Sequence, residues 1–105
     1  MSTDAAGDGP VTLAFVGYTT PERAEAAHAY EDEVLALLAD HGAAVVQRAR
    51  RRPGQDPALP VEVHVLRFPS RAALEAYLAN PRRLAALDRH GETFTDKQVV
   101  EVDLS

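Results

Sequence analysis

The chain has 105 residues, of which 46% are hydrophobic, 26% are charged and only 6% are aromatic. Its formal net charge of −5 argues against nucleic acid as a partner, because that binding depends on neutralising phosphates. The absence of cysteine excludes disulfides, thiolate catalysis and cysteine-bound zinc. No apolar run is long enough to span a bilayer, and the first ten residues lack the basic start and apolar segment of a secretion signal. The sequence therefore predicts a cytoplasmic protein with no membrane partner.

The first 42 residues contain a predicted tail, a strand and a helix. Residues 1–10 are small, polar and glycine-rich and predict a flexible N-terminal tail, so that residues 11–105 form a single domain. Residues 11–18 are apolar at nearly every position, which predicts a central strand. Thr20 and Pro21 then form a helix start, and the helix is expected to run to His41, where Gly42 ends it.

The remaining chain alternates between strand and helix signals. Residues 43–51 and 61–68 predict two strands, joined by a loop that contains three prolines and a glycine. Residues 71–90 predict a second helix, which Asn80 and Pro81 interrupt and Gly91 ends, with Leu74, Tyr77, Leu78, Leu84 and Leu87 as its apolar positions. Residues 97–104 predict a fourth strand. The order is β-α-β-β-α-β, an α+β ferredoxin-like fold in which two helices cover a four-stranded antiparallel sheet.

The third strand predicts a second covered face. Val61, Val63 and Val65 are assigned to the helix side, so that the alternate residues Glu62, His64, Leu66 and Phe68 point away from the helices. This second face is half apolar and would be poorly accommodated in water. Pairing it with the same face of a second subunit predicts a homodimer.

A short motif around the third strand carries a resemblance to a known group. The run Val65-Leu66-Arg67-Phe68-Pro69-Ser70 is followed by apolar helix positions and the Asn80-Pro81 break. This pattern resembles the dimeric α/β-barrel superfamily, and within it a small bacterial branch of unassigned function. Antibiotic-biosynthesis monooxygenases and muconolactone isomerase are more distantly similar. The resemblance implies two ferredoxin-like subunits that join their sheets into a barrel, with a ligand cleft between the sheet and the helices of each subunit.

The same resemblance bears on heme. The heme-degrading relatives carry a tryptophan and a histidine on the second helix, and Tyr77 and Leu87 occupy those places here. A heme or metal site is therefore only a weaker alternative, and neither a cofactor nor a metal is predicted. The chain also lacks the tryptophan that several of the monooxygenases contain.

His64 and Glu62 are the predicted catalytic residues. They are two positions apart on the same face of a strand, and an imidazole beside a carboxylate is suited to general acid–base chemistry near neutral pH. A packed histidine at the subunit interface is the alternative. Four further residues are predicted to bind substrate, three aromatic residues that suit a flat apolar ligand and one arginine for an anionic group: Phe15, Tyr18, Tyr77 and Arg48.

The remaining basic and histidine residues have less specific interpretations. Arg48, Arg50, Arg51 and Arg52 form the single basic cluster, which indicates either anion recognition or a charged edge strand that resists aggregation. His28 is one turn before Asp32, and this pair either lines a cleft or is solvated.

Two functions remain open from the sequence. The first is a cofactor-independent isomerase, cyclase or monooxygenase acting on a small, partly apolar carbonyl or aromatic compound. The second is a dimeric module that binds a small molecule or supports another enzyme without catalysing a reaction. The substrate and the reaction type are not specified by any motif in the chain.

Overall fold

The computed structural model describes residues 9–104. The predicted N-terminal tail, except for residues 9 and 10, lies outside the described residues. Four strands and three α-helices follow one another in the order β1, α1, β2, β3, α2, α3, β4: β1 Val11–Tyr18, α1 Ala24–Leu35, β2 Ala44–Arg50, β3 Glu62–Phe68, α2 Arg71–Leu78, α3 Pro81–His90 and β4 Asp96–Glu101. No described helix is long and apolar enough to cross a membrane.

The strands form one antiparallel sheet in the order β2-β3-β1-β4. The two central strands are therefore β1 and β3, which are not consecutive in the chain, and β2 lies at one edge. This connectivity is that of a ferredoxin-like α+β fold and confirms the predicted fold class. The main core lies between one face of the sheet and the helices, and it includes Val11, Leu38, Leu66, Phe68, Leu74 and Tyr77.

Local capping signals set the helix boundaries. The Ser70 hydroxyl accepts a hydrogen bond from the Ala73 N–H (3.1 Å) at the start of α2, and the Asn80 side chain accepts one from the Arg82 N–H (2.9 Å) at the start of α3. The interruption predicted at Asn80-Pro81 is confirmed, because Pro81 is the first residue of α3. Gly91 follows α3 with a φ of +71°, a conformation that glycine adopts without strain.

The first predicted helix is divided into three parts. One turn of 3-10 helix, Pro21–Arg23, leads into α1, and a second 3-10 segment, Leu38–His41, follows it. Gly42 then ends the segment with a φ of +68°, as expected. The predicted fourth strand is also shorter than expected, since β4 ends at Glu101.

The assignment of faces on β3 was wrong. Glu62, His64, Leu66 and Phe68 are buried towards the helices, whereas Val63 is exposed on the opposite face. Both alternating rows of this strand contain apolar residues, so the period-two pattern does not distinguish them. Glu62 is tolerated in this row because its carboxylate is paired with Arg48 within the subunit.

The opposite side of the sheet, here called the open face, is mainly apolar. The strand register places the following residues on it, across three neighbouring strands: Ala14, Val16, Val63, Val65 and Val100. Both hydrophobic cores of the domain lie on the helix side of the sheet, and no described element of the subunit covers the open face. An uncovered apolar face therefore exists as predicted, but it is formed by the valines of β3.

The apolar positions of the second helix are only partly buried. Leu74 and Tyr77 belong to the core, whereas Leu78, Leu84 and Leu87 are between 41% and 48% exposed. The helix break turns α3 away from the sheet and onto α1, where Ala86 packs against Tyr30 and Val34. Of the apolar positions named from the sequence, those beyond residue 77 are therefore not core residues.

Candidate functional site

A cleft lies between the helix-facing side of the sheet and the three helices. It has a volume of about 410 Å³, within the range of about 300–1,000 Å³ that is typical of small-molecule sites. We call it the main cavity. Its walls are mostly apolar and include Leu13, Phe15, Leu35, Leu66 and Val99. Besides the Tyr77 hydroxyl of α2, its polar side chains come from four different elements: Glu31 of α1, His64 of β3, Arg83 of α3 and Lys97 of β4.

His64 is positioned by two central strands. Its backbone is paired with that of Phe15, and the two rings stack with centroids 4.5 Å apart and planes at 16°. The side chain is only 2% exposed, and neither ring nitrogen has a hydrogen-bond partner in the described chain. A buried polar group left unpaired costs about 1–3 kcal/mol, so an unpaired imidazole on a cavity wall calls for a functional explanation.

Glu31 is the acidic neighbour of His64. Its Oε1 atom lies 3.7 Å from His64 Nε2, and its Oε2 atom is buried with no partner in residues 9–104. The side chain is on the apolar stripe of α1, which also buries Ala27 and Val34. A glutamate in the middle of such a stripe is a sequence signal for a special role, although the sequence does not show which residue it faces.

Glu62 belongs to a separate ion-pair network. It is completely buried and binds Arg48 through two hydrogen bonds, from Nε to Oε1 (3.0 Å) and from Nη2 to Oε2 (2.7 Å). His28 Nδ1 lies 2.6 Å from Oε2. Glu62 is also 3.9 Å from His64 Nε2, but its two oxygens are already engaged. His64 Nε2 therefore lies within 4.0 Å of two carboxyl groups, that of Glu62, as the sequence predicted, and that of Glu31, which was not predicted.

The network extends to the surface through Asp32. Arg48 and Arg50 donate hydrogen bonds to the same Asp32 oxygen over 2.7 Å and 2.9 Å. The bond from Arg48 lowers the pKa of Asp32, and the bonds to Glu62 raise the pKa of Arg48. Arg48 and Arg50 do share a strand face at the sheet edge, as expected, but they join β2 to α1 and β3. His28 contacts Glu62, and not the Asp32 side chain as the sequence suggested.

The four predicted substrate-binding residues are not brought together. Phe15 and Tyr77 line the main cavity, where the Tyr77 hydroxyl donates a hydrogen bond to the Val34 carbonyl (3.0 Å). Burial raises the pKa of Tyr77 to about 12. Tyr18 follows the open-face parity of β1, on the other side of the sheet, and Arg48 is held in the ion-pair network. The expectation that Tyr18 and Arg48 share a pocket with His64 was therefore wrong.

The other two histidines, His41 and His90, do not line the main cavity. His41 Nε2 lies 3.0 Å from Asn80 Nδ2, and its ring packs against the edge of Tyr77. His90 Nε2 lies 3.1 Å from Glu33 Oε1, and Arg89 also pairs with Glu33. In residues 9–104, no group of three or more His, Asp or Glu side chains is arranged to hold a metal ion.

The arrangement at the main cavity is suited to proton transfer within an apolar site. An imidazole with two unpaired nitrogens can accept a proton from a bound ligand or donate one to it, and the Glu31 carboxyl group lies 3.7 Å from this ring. The sequence identified His64 and the two aromatic walls. It missed Glu31 and Arg83 as site residues, because their contacts depend on how α1 and α3 pack.

Comparison with known structures supports the fold. No protein-family model matches the chain, and no curated protein matches it. A protein of unknown function from Rhodopseudomonas palustris is 18% identical, with a TM-score of 0.70 over 100% of this chain and 95% of that chain. A Caulobacter crescentus protein, described provisionally as an antibiotic biosynthesis monooxygenase, is 17% identical, with a TM-score of 0.72 over 94% of this chain and 92% of that chain.

A third similar structure bears on assembly. It is described as a dimeric protein of unknown function with a ferredoxin-like fold, from Bacteroides fragilis. It is 15% identical, with a TM-score of 0.65 over 91% of this chain and 97% of that chain. At this level of identity the similarities establish the ferredoxin-like fold, and they assign no activity.

Proposed function

We propose that this chain is a small-molecule enzyme of the dimeric α/β-barrel type: an isomerase, a cyclase or a cofactor-free monooxygenase that acts on a partly apolar carbonyl or aromatic compound. One observation carries the proposal. His64 is buried on the wall of a mostly apolar cavity, with both ring nitrogens unpaired and the Glu31 carboxylate 3.7 Å away. A buried polar group left unpaired on the wall of a cleft calls for a functional explanation, and a bound ligand would supply the missing partner.

The reaction step common to these three activities is removal of a proton from an activated carbon or hydroxyl. His64 acts as the base, and Glu31 stabilises the resulting imidazolium without itself taking the proton. Phe15, stacked on the imidazole, holds the ring in place and supplies a flat apolar surface for the substrate. The separation between His64 and Glu31 is longer than a hydrogen bond, and such separations often shorten when a substrate binds.

Exchange of carbon-bound hydrogen with solvent tests this step without knowledge of the natural substrate. The α-hydrogens of 1-tetralone, an aromatic ketone, are followed by proton NMR in D₂O with the wild-type protein, with His64→Ala and with the matched control His90→Gln. We expect the wild-type protein and the control to accelerate exchange, and His64→Ala to lose about 10²–10⁴-fold of that acceleration. Equal acceleration by His64→Ala and wild type would refute the role of His64.

A non-catalytic ligand-binding protein is the second candidate. It is favoured by the absence, in the described chain, of a hydrogen bond between His64 and any acidic side chain. Such a protein would bind an apolar compound in the main cavity and produce no exchange. The same NMR sample distinguishes the two candidates, because binding shifts the ligand signals whether or not exchange follows.

We further propose a cytoplasmic homodimer formed through the open face. Burying Val63, Val65 and Val100 against a second copy would remove apolar surface from water at roughly 25 cal/mol per Å². Light scattering should then give about twice the chain mass of 11.3 kDa. Val100→Glu should produce a monomer, whereas Val99→Glu, on the other side of the same strand, should remain dimeric. A wild-type monomer at micromolar concentration would contradict the proposal.

A further inference from the structure

A second cleft adjoins the main cavity. It has a volume of about 380 Å³ and lies between α1, α3 and the segment that leads into β4, with Tyr30, Leu87 and Phe94 among its walls. We call it the outer cavity. Two side chains line both clefts, and both are cations: Arg83 and Lys97. Positive charge is therefore placed where an apolar space meets a more polar one.

The Arg83 guanidinium has unused hydrogen-bonding capacity. Its Cζ atom lies 5.3 Å from the centroid of the Tyr77 ring, and Nη1 donates a long hydrogen bond to the Leu78 carbonyl (3.3 Å). Its Nε atom is buried and has no partner in the described chain. The preceding Arg82 differs, because it is mostly exposed and lies 3.6 Å from Asp40. Arg83 is thus held in place by an aromatic ring and a carbonyl, with no counter-charge.

Lys97 faces the same space from β4. Its backbone is paired with Gly17, which places its side chain on the helix-facing side of the sheet. In residues 9–104, no carboxylate oxygen lies within 4.0 Å of the Lys97 ammonium or the Arg83 guanidinium, although Asp96 Oδ1 accepts a hydrogen bond from the Lys97 backbone N–H (2.9 Å). Acidic side chains do line the two clefts, Glu31 the main cavity, and Glu92 and Asp96 the outer cavity. Because these carboxylates would repel an anion elsewhere in the two clefts, binding of an anion is favoured only where it contacts Arg83 and Lys97 directly.

We propose that the ligand of the main cavity is an anion, an apolar body bearing a carboxylate or enolate, and that Arg83 and Lys97 bind its charged group at the boundary of the two clefts. This inference rests on the proposed function, and it names the class of ligand. The planar fork of Arg83 suits a two-oxygen anion, and such charge-assisted bonds are stronger than neutral ones. The apolar body lies against Phe15 and Leu66, which brings it beside His64.

A neutral reporter and a matched pair of competitors test the inference. N-phenyl-1-naphthylamine, which fluoresces in apolar sites, is bound to the protein and displaced by 2-naphthoate or by 2-naphthamide. These two competitors have nearly the same shape and differ in charge. We expect wild-type protein to bind 2-naphthoate about tenfold more tightly than 2-naphthamide. Arg83→Gln should reduce this preference to about threefold or less, the share left to Lys97, whereas the control Arg82→Gln should retain the preference in full.

The outcomes separate this inference from the proposed function. Equal displacement by the two competitors from wild-type protein would overturn the inference and leave the cavity as a ligand site. If the reporter fails to bind wild-type protein, both the inference and the proposed function are wrong. If Arg83→Gln does not fold, the same competition assay is carried out with Lys97→Gln, which changes a residue of the exposed strand β4. Its preference for 2-naphthoate should fall about threefold, and an unchanged preference would refute the assignment.

Discussion

Replacing Glu62 by glutamine removes the charge at the centre of the ion-pair network. The carboxylate is fully buried and satisfies Arg48 through two hydrogen bonds and His28 through a third. An amide of the same shape can accept only one of the two bonds from Arg48, and its NH₂ group then faces another donor. The guanidinium is consequently left without its buried counter-charge.

The expected cost follows from the burial of the two partners. Breaking a buried ion pair by removing one partner typically costs about 3–5 kcal/mol. Arg48 is 20% exposed and keeps its bond to Asp32, so the cost should lie at or somewhat below the lower end of that range, at about 2–3 kcal/mol. That is a large share of the roughly 5–15 kcal/mol by which a small domain is stable.

Urea denaturation followed by circular dichroism measures this cost. Asp32→Asn is the matched control, because it removes a carboxylate from the same arginines at a site that is 56% exposed. Its cost should remain below about 1 kcal/mol, as is usual for exposed pairs. If Glu62→Gln costs no more than Asp32→Asn, the pairing of Arg48 with the buried Glu62 carboxylate does not stabilise the fold.

Two further predictions concern the walls of the main cavity. Burial raises the pKa of Tyr77 to about 12 from 10, so the folded state retains this proton longer than the unfolded state. The contribution of the protonated Tyr77 hydroxyl to the free energy of unfolding is fully present below pH 10 and is lost as the pH rises towards 12. About 1.4 kcal/mol of this contribution is lost by pH 11. Tyr77→Phe should therefore be less stable than wild type by about 1 kcal/mol at pH 8, through loss of the bond to Val34, and equally stable near pH 11. A gap that is constant between the two pH values would contradict this. Gly17→Ala should cost about 1–3 kcal/mol in urea denaturation, because its Cβ would lie 2.6 Å from the Phe94 ring and 2.8 Å from the Phe15 ring. A variant as stable as wild type would mean that these rings move freely.

Local signals in the sequence predicted the elements well. Ser70, Asn80, Gly42 and Gly91 each act through their own backbone neighbours, and the structure confirms the boundary that each one predicted. Element order and the ferredoxin-like arrangement follow from these boundaries and from hydrophobic periodicity. The 3-10 turn at each end of α1 was not predicted, because it depends on how that helix packs.

The site was harder to predict, because it depends on contacts between distant parts of the chain. His64 was predicted as a site residue from its position on an apolar strand, but it was assigned to the wrong side of the sheet. Both alternating sets of residues on β3 are apolar enough to be buried, so the sequence does not show which set faces the helices. Glu31 and Arg83 approach the cavity from α1 and α3, at places set by helix packing and not by sequence spacing. Arg48 was predicted to hold an anionic group of the substrate, but its guanidinium is paired with Glu62, 14 positions further along the chain.

The proposed function requires that the main cavity bind an apolar ligand beside His64. Two-dimensional proton–carbon NMR of the histidine ring signals tests it directly, since the chain has four histidines and only His64 lines this cavity. On titration with 2-naphthoate, the His64 signals should shift progressively, while those of His28, His41 and His90 remain nearly unchanged. An unshifted His64, with the ligand signals showing that 2-naphthoate is bound, would place the binding site elsewhere and contradict the account.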